Sequence, residues 1–160
     1  MLCEHAAVRI TAKADYAVRA AVELAVAHDE ERATKGEAIS RAQGIPLKFL
    51  ENILTELRRA GLVRSQRGAD GGYWLARPPK EITVADVIRA SEGPLATIRG
   101  ERPEEVAYEG SAEHLQDVWI ALRGAIRGVV EHVTLADLAA GRLPAKVRRL
   151  ADDPASLQIR

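Results

Sequence analysis

Residues 47–60 read Leu-Lys-Phe-Leu-Glu-Asn-Ile-Leu-Thr-Glu-Leu-Arg-Arg-Ala, with Pro46 before them and Gly61 after. Leu47, Leu50, Ile53, Leu54 and Leu57 recur at the i, i+3, i+4 spacing that lines one side of an α-helix. Proline at the start and glycine just past the end are the usual punctuation of such a helix. An apolar stripe of this kind has to be buried against other elements. The opposite face, with Lys48, Glu51, Asn52, Thr55, Glu56 and Arg59, is polar enough to stay outside.

Two helices are predicted ahead of it. The first starts at Thr11, a plausible N-cap, and carries Tyr16, Ala20, Ala21, Leu24 and Ala27 at helical spacing until Asp29-Glu30-Glu31-Arg32 ends it. The second spans about Thr34 to Gln43, with Ile39 and either Ala38 or Ala42 inward, and Gly44 closes it in a left-handed cap. After the third helix, 62–67 and 73–76 are short and β-prone around Gly68-Ala69-Asp70-Gly71-Gly72, which predicts a hairpin. Another helix is expected over 82–90, entered through Thr83, and closes a module at 9–91. Apolar residues make up 47% of the chain but aromatics only 4%, a balance that suits helices packed through aliphatic faces. The expected fold class is mainly α: a winged helix-turn-helix of three helices plus a two-stranded β wing.

Beyond it, 92–111 is rich in Gly, Pro and acidic residues and reads as an irregular loop, a candidate sensor region. A long helix follows from about Ala112 to His132, with Leu115, Val118, Trp119, Leu122, Ile126 and Val129 on one stripe that needs a partner surface. Residues 135–140 are expected to extend it, so that 112–142 forms one element. The tail, 143–160, is basic, proline-broken and expected to be flexible. No internal repeats are expected.

A short helix, a glycine turn and a second amphipathic helix with a polar outer face is the arrangement that seats the second helix in the major groove of double-stranded DNA. Lys48, Phe49, Glu51 and Asn52 lie near its N-terminal end, the end that usually enters. Lys donates to guanine, Glu accepts from cytosine and Asn pairs with adenine. Arg67 stands at the tip of the hairpin, while Arg58, Arg59 and Arg64 are candidates for phosphate contacts. Net charge is zero, yet residues 48–80 hold seven basic and three acidic side chains. Any one surface Lys or Arg is most often only a solvated charge, and Phe49 is as compatible with a core as with a base. The ordered succession of elements is what favours DNA. Catalysis is not expected: no Ser-His-Asp order, His-Glu-x-x-His or phosphate-binding Gly-Lys-Ser/Thr is present, and the four histidines are scattered. The other reading left open is a winged-helix module used only for protein interaction.

Residues 10–20, Ile-Thr-Ala-Lys-Ala-Asp-Tyr-Ala-Val-Arg-Ala, together with Gly44 to Leu54, Leu57-Arg58-Arg59-Ala60-Gly61-Leu62-Val63 and Arg67-Gly68-Ala69-Asp70-Gly71-Gly72-Tyr73, resemble the Rrf2 family of bacterial regulators. The resemblance covers about residues 9–140. It implies a homodimeric winged-helix fold whose long C-terminal helix crosses to the partner, making Leu115 to Val129 the dimerisation stripe; repression is the expected role, with activation left open. It also implies that Lys48, Phe49 and Glu51 read bases and that Arg67 is the wing arginine.

Cluster-binding members of that family carry three cysteines in the loop before the long helix. Here 92–111 has none, and the resemblance places Glu113 and Gln116 where a cysteine and a histidine ligand would stand. The single cysteine, Cys3, excludes an intrachain disulfide and a multi-thiolate metal site, so neither a cofactor nor a metal is expected and a cytoplasmic location is. Membrane insertion is not expected, since no apolar run is long enough. Regulation is left open among a small-molecule effector in the loop, a partner protein, and a metal or redox signal sensed by Cys3 with His5 and His114.

Overall fold

The computed structural model describes residues 9–158. Thr11 caps α1 (Ala12–His28), its Oγ1 accepting from the Ala14 amide at 3.0 Å. The alanines of α1 bring neighbouring backbones close, and Ala17, Ala20, Ala21 and Leu24 are buried. α2 (Gly36–Gln43) ends at Gly44, whose φ of 63° is the left-handed cap the sequence suggests. α2 starts two residues later than expected because Thr34 is used elsewhere, and it buries Ile39 while Ala38 and Ala42 stay exposed. α3 (Leu47–Arg59) buries Leu50, Ile53, Leu54 and Leu57 against α1 and α2, with Leu47 half-buried. Each of these side chains contributes about 1.5–3 kcal/mol by leaving water.

The wing is an antiparallel pair, β1 (Val63–Gln66) and β2 (Gly72–Leu75), in the register Val63 with Leu75 and Ser65 with Tyr73. Thr34 adds a single-residue rung. Its amide donates to the Tyr73 carbonyl at 2.8 Å, and the Tyr73 amide donates back at 2.9 Å. Gly72 permits this approach: its φ is 148°, and a Cβ there would lie 2.8 Å from the Thr34 carbonyl oxygen.

α4 (Val84–Glu92) packs against α1 and α3. An irregular segment with short 3-10 turns at 103–105 and 110–112 leads to α5 (Leu115–Val130), and Gly110 at φ 63° helps delay its start beyond the expected Ala112.

Residues 135–140 do not extend that helix. They form α6 (Leu135–Ala140), which turns back onto α1, and Leu135 is fully buried there. The start of α6 mirrors that of α4. Thr83 and Asp86 make a reciprocal capping box with bonds of 2.9 and 3.1 Å, and Thr134 and Asp137 make another with the same distances. The two boxes pair edge to edge: Val84 N–H donates to Val133 O and Leu135 N–H to Ile82 O, both at 2.9 Å. The runs Ile82-Thr83-Val84-Ala85-Asp86-Val87 and Val133-Thr134-Leu135-Ala136-Asp137-Leu138 are thus a short internal repeat that the sequence reading misses.

The tail also differs from expectation. It forms α7 (Ala145–Asp152) and α8 (Pro154–Leu157), because Pro144 and Pro154 sit at helix starts, where proline removes no needed donor.

Candidate nucleic-acid interface

The polar face of α3 reaches solvent because its apolar stripe is consumed by α1 and α2. Lys48, Glu51 and Asn52 are exposed on the first turns, and Phe49 is 41% exposed. Phe49 is held from behind: its ring meets Tyr16 edge-on at 5.7 Å, and Arg19 lies over the Tyr16 ring at 5.4 Å. Arg19 is fixed in turn by Gln43, the last residue of α2, and by Asp15 at 3.1 Å. The helix that opens the chain therefore braces both the turn and the aromatic side chain presented beside it. Lys13 of α1 adds an ion pair to Glu56 of α3 at 2.9 Å.

The hairpin sorts the remaining arginines. Side chains alternate along a strand, and Ser65 faces α3, where its Oγ accepts from Arg58 at 3.0 Å. Arg64 points to the opposite side and stacks on Trp74 at 5.3 Å. Arg67 is exposed at the turn and Arg59 at the end of α3. Of the basic candidates, Lys48, Arg59 and Arg67 stand open, Arg58 bridges helix to wing, and Arg64 is set apart. The sequence reading misses Lys35, whose Nζ donates to the Gly68 carbonyl at 2.9 Å and ties the wing turn to the start of α2. A lone lysine before a glycine carries no pattern that would reveal this.

The C-terminal half presents a different surface. No side chain of α5 is buried within the chain, and Val118 is 54% exposed. Leu115, Leu122, Ile126 and Val129 share its side of the helix and are half-buried. Trp119 sits at the border of that stripe, its indole N–H donating to Tyr108 Oη at 3.1 Å. The flank formed by Gln116 and Arg123 faces the irregular segment: Gln116 donates to the carbonyls of Pro103 and Glu104, and Arg123 pairs with Glu104.

At the far end of α5, Glu131 accepts from Arg89 of α4 and, at 2.9 Å, from Arg127. The Arg89 hydrogen bond, followed by that from Arg127, holds the Glu131 carboxyl below its ordinary value of 4.5. A group with a depressed folded pKa adds stability above its unfolded pKa and loses it as pH falls through the folded one. Melting curves of wild type and Glu131→Gln should therefore differ at neutral pH, with the wild type higher, and converge in acid. A gap that persists in acid would show that Glu131 acts by something other than its charge.

A helix-turn-helix followed at once by a two-stranded hairpin, with the second helix's polar face open and its C-terminal end tied to the hairpin, defines a winged helix-turn-helix. The chain belongs to the Rrf2 family, described as iron-dependent transcriptional regulators, whose model matches residues 10–141. The Mycobacterium tuberculosis protein Rv1287 is 52% identical over 145 residues, covering 91% of this chain and 89% of its own. The solved structure of CymR (YrzC), the global cysteine regulator of B. subtilis, superposes with a TM-score of 0.72 at 35% identity, covering 84% of this chain and 98% of that one. T. potens IscR superposes with a TM-score of 0.68 at 34% identity, covering 84% and 88%. Among the described residues no helix is long and apolar enough to cross a membrane.

The family description names iron, but the residues here do not fit a thiolate-held cluster. The segment before α5 contains no cysteine. Gln116 is committed to two backbone carbonyls, and Glu113 lies beside an exposed His114 at 3.3 Å. Among the described residues no group of three His, Cys, Asp or Glu side chains converges as a metal site. Cys3 and His5, the N-terminal candidates, lie outside the described residues.

Proposed function

We propose that this chain binds an operator in double-stranded DNA as a homodimer and represses transcription by occupying it, in the cytoplasm, with no catalytic activity and no cysteine-ligated cluster. The observation that carries the reading is the open face of Lys48, Phe49, Glu51 and Asn52 on α3, together with the exposed Arg67 of a wing that Thr34 and Lys35 anchor. Lys48, Glu51 and Asn52 offer a donor, an acceptor and a group that is both, the chemistry that distinguishes base pairs in the major groove. Arg59 and Arg67 supply phosphate or minor-groove contacts, Arg58 stiffens the junction between helix and wing, and Arg64 is the least suited of the original set. Homodimerisation is supported by the apolar stripe of α5 around Val118, no residue of which is fully buried among the described residues of a single chain. In this layout 9–91 reads DNA, 92–111 senses and α5 pairs the copies, while α6 packs back on the reading module.

Titration of operator and random duplex at 50 and 200 mM salt tests this against a module that binds only protein. A DNA reader that neutralises several phosphates per dimer should lose about 1,000-fold or more in affinity over that range. It should also keep a preference for operator over random sequence. Absent or salt-insensitive duplex binding would overturn the proposal.

A further inference from the structure

Between α4, the irregular segment and α5 lies a cavity of about 310 Å³ lined by Arg89, Arg102, Arg123, Arg127, Glu104 and Leu95. Its arginines come from three separate parts of the chain and converge on one space. One lining carboxylate, Glu104, stands against the four guanidinium groups and pairs with Arg123; just outside, Glu131 is shared by Arg89 and Arg127, and Glu105 accepts from the Arg102 backbone amide. The site therefore keeps an excess of positive charge in a concave, partly enclosed setting, where like charges repel and an anion is attracted. The segment that forms its wall is folded rather than loose. Ile98 and Glu101 exchange backbone hydrogen bonds of 2.9 and 3.0 Å, and Ala96, which also lines the cavity, adopts φ 52°, a conformation that non-glycine residues keep only where their surroundings impose it.

We propose that this cavity binds a small anion bearing two acidic groups, held by forked hydrogen bonds from Arg102 and Arg123, with Arg89 and Arg127 completing the charge. Guanidinium forks match carboxylate and phosphate oxygens equally well in geometry, and the cavity is at the small end of metabolite-sized sites. Binding competes with Glu104, whose carboxyl is kept ionised by its own backbone amide and by Arg123. Because Arg89 belongs to α4 and Arg123 and Arg127 to α5, an occupant would brace the helix that packs on the reading module against the helix proposed to pair the copies. That regulatory consequence rests on the DNA-binding reading; binding of the anion itself does not.

The test is calorimetric titration of the full chain with inorganic pyrophosphate and with succinate at fixed ionic strength, with glucose as a neutral control. Saturable binding of either anion and none of glucose is expected, and the preferred probe tells phosphate from carboxylate chemistry. Arg102→Gln, which breaks no ion pair seen in the structure, should weaken binding at least tenfold. Glu104→Gln should tighten it about threefold by releasing Arg123. Arg148→Gln, a charge change of the same type outside the cavity lining, should do nothing. Failure of wild type to bind either anion, or equal affinity for wild type and Arg102→Gln, would overturn the proposal. So would loss of DNA affinity with a shallower salt slope in Arg102→Gln in anion-free buffer, which would make these arginines phosphate contacts to DNA. Wild-type protein that binds DNA with the expected salt dependence but no anion would overturn only this inference. Protein that binds the anion but no duplex would overturn only the operator-binding reading.

Discussion

Replacing Lys48 and Arg67 together by alanine should lower operator affinity about 100-fold or more while leaving the helical dichroism and melting temperature unchanged. Neither side chain is buried or tied to a neighbour, so their loss costs the fold little. A good base contact is worth about 1–3 kcal/mol, and a dimer presents each residue twice. The two single changes should separate the roles. Lys48→Ala should relax preference at one position of each half-site, whereas Arg67→Ala should weaken all sequences alike and reduce the salt slope by about one per protomer. Fluorescence anisotropy against operator and scrambled duplex at several salt concentrations measures both. Unchanged affinity in both variants would remove α3 and the wing from the reading surface.

Val118→Asp should convert a dimer to a folded monomer and cost about 100- to 10,000-fold in operator affinity. Val118 is 54% exposed within one chain and no α5 side chain is buried there, so a charge at this position does not disturb the protomer. In a dimer the same position lies in the apolar stripe, where an unpaired carboxylate is strongly unfavourable. The DNA effect follows because two half-site contacts held together benefit from a high effective concentration that separate monomers lack. Sedimentation velocity and the affinity titration together check it; a dimer that survives the change would place the interface elsewhere.

The reading module is legible in the sequence because side-chain periodicity and helix punctuation report on the same elements. α3 lies within one residue of its expected end, and Gly44 adopts the cap assigned to it. What escapes is whatever the backbone does without a side-chain pattern. The rung between Thr34 and Tyr73 involves one residue on each side, too few to show alternation. The fold-back of α6 is masked by apolar spacing that runs through Val133, although the Thr-x-x-Asp box at 134–137 announces a new helix start. Which face of β1 meets α3 decides that Arg58 is engaged and Arg64 set apart, and four residues of strand do not reveal it. The arginines at 89, 102, 123 and 127 are unremarkable along the chain and become a cluster only when α4, the irregular segment and α5 are folded together.

The paired capping boxes at Thr83 and Thr134 seat the C-terminal end of α5, while its N-terminal part is held against the irregular segment by Gln116 and Arg123. Its approach runs from α4, and its exit is stitched back beside the start of α4 before α6 locks onto α1. A rod held at one end swings freely; a rod held at two carries torque into its frame. Two such rods joined along the Val118 stripe would set the distance between the two α3 helices as a fixed gauge, so that the pair measures the pitch of the double helix as well as its sequence.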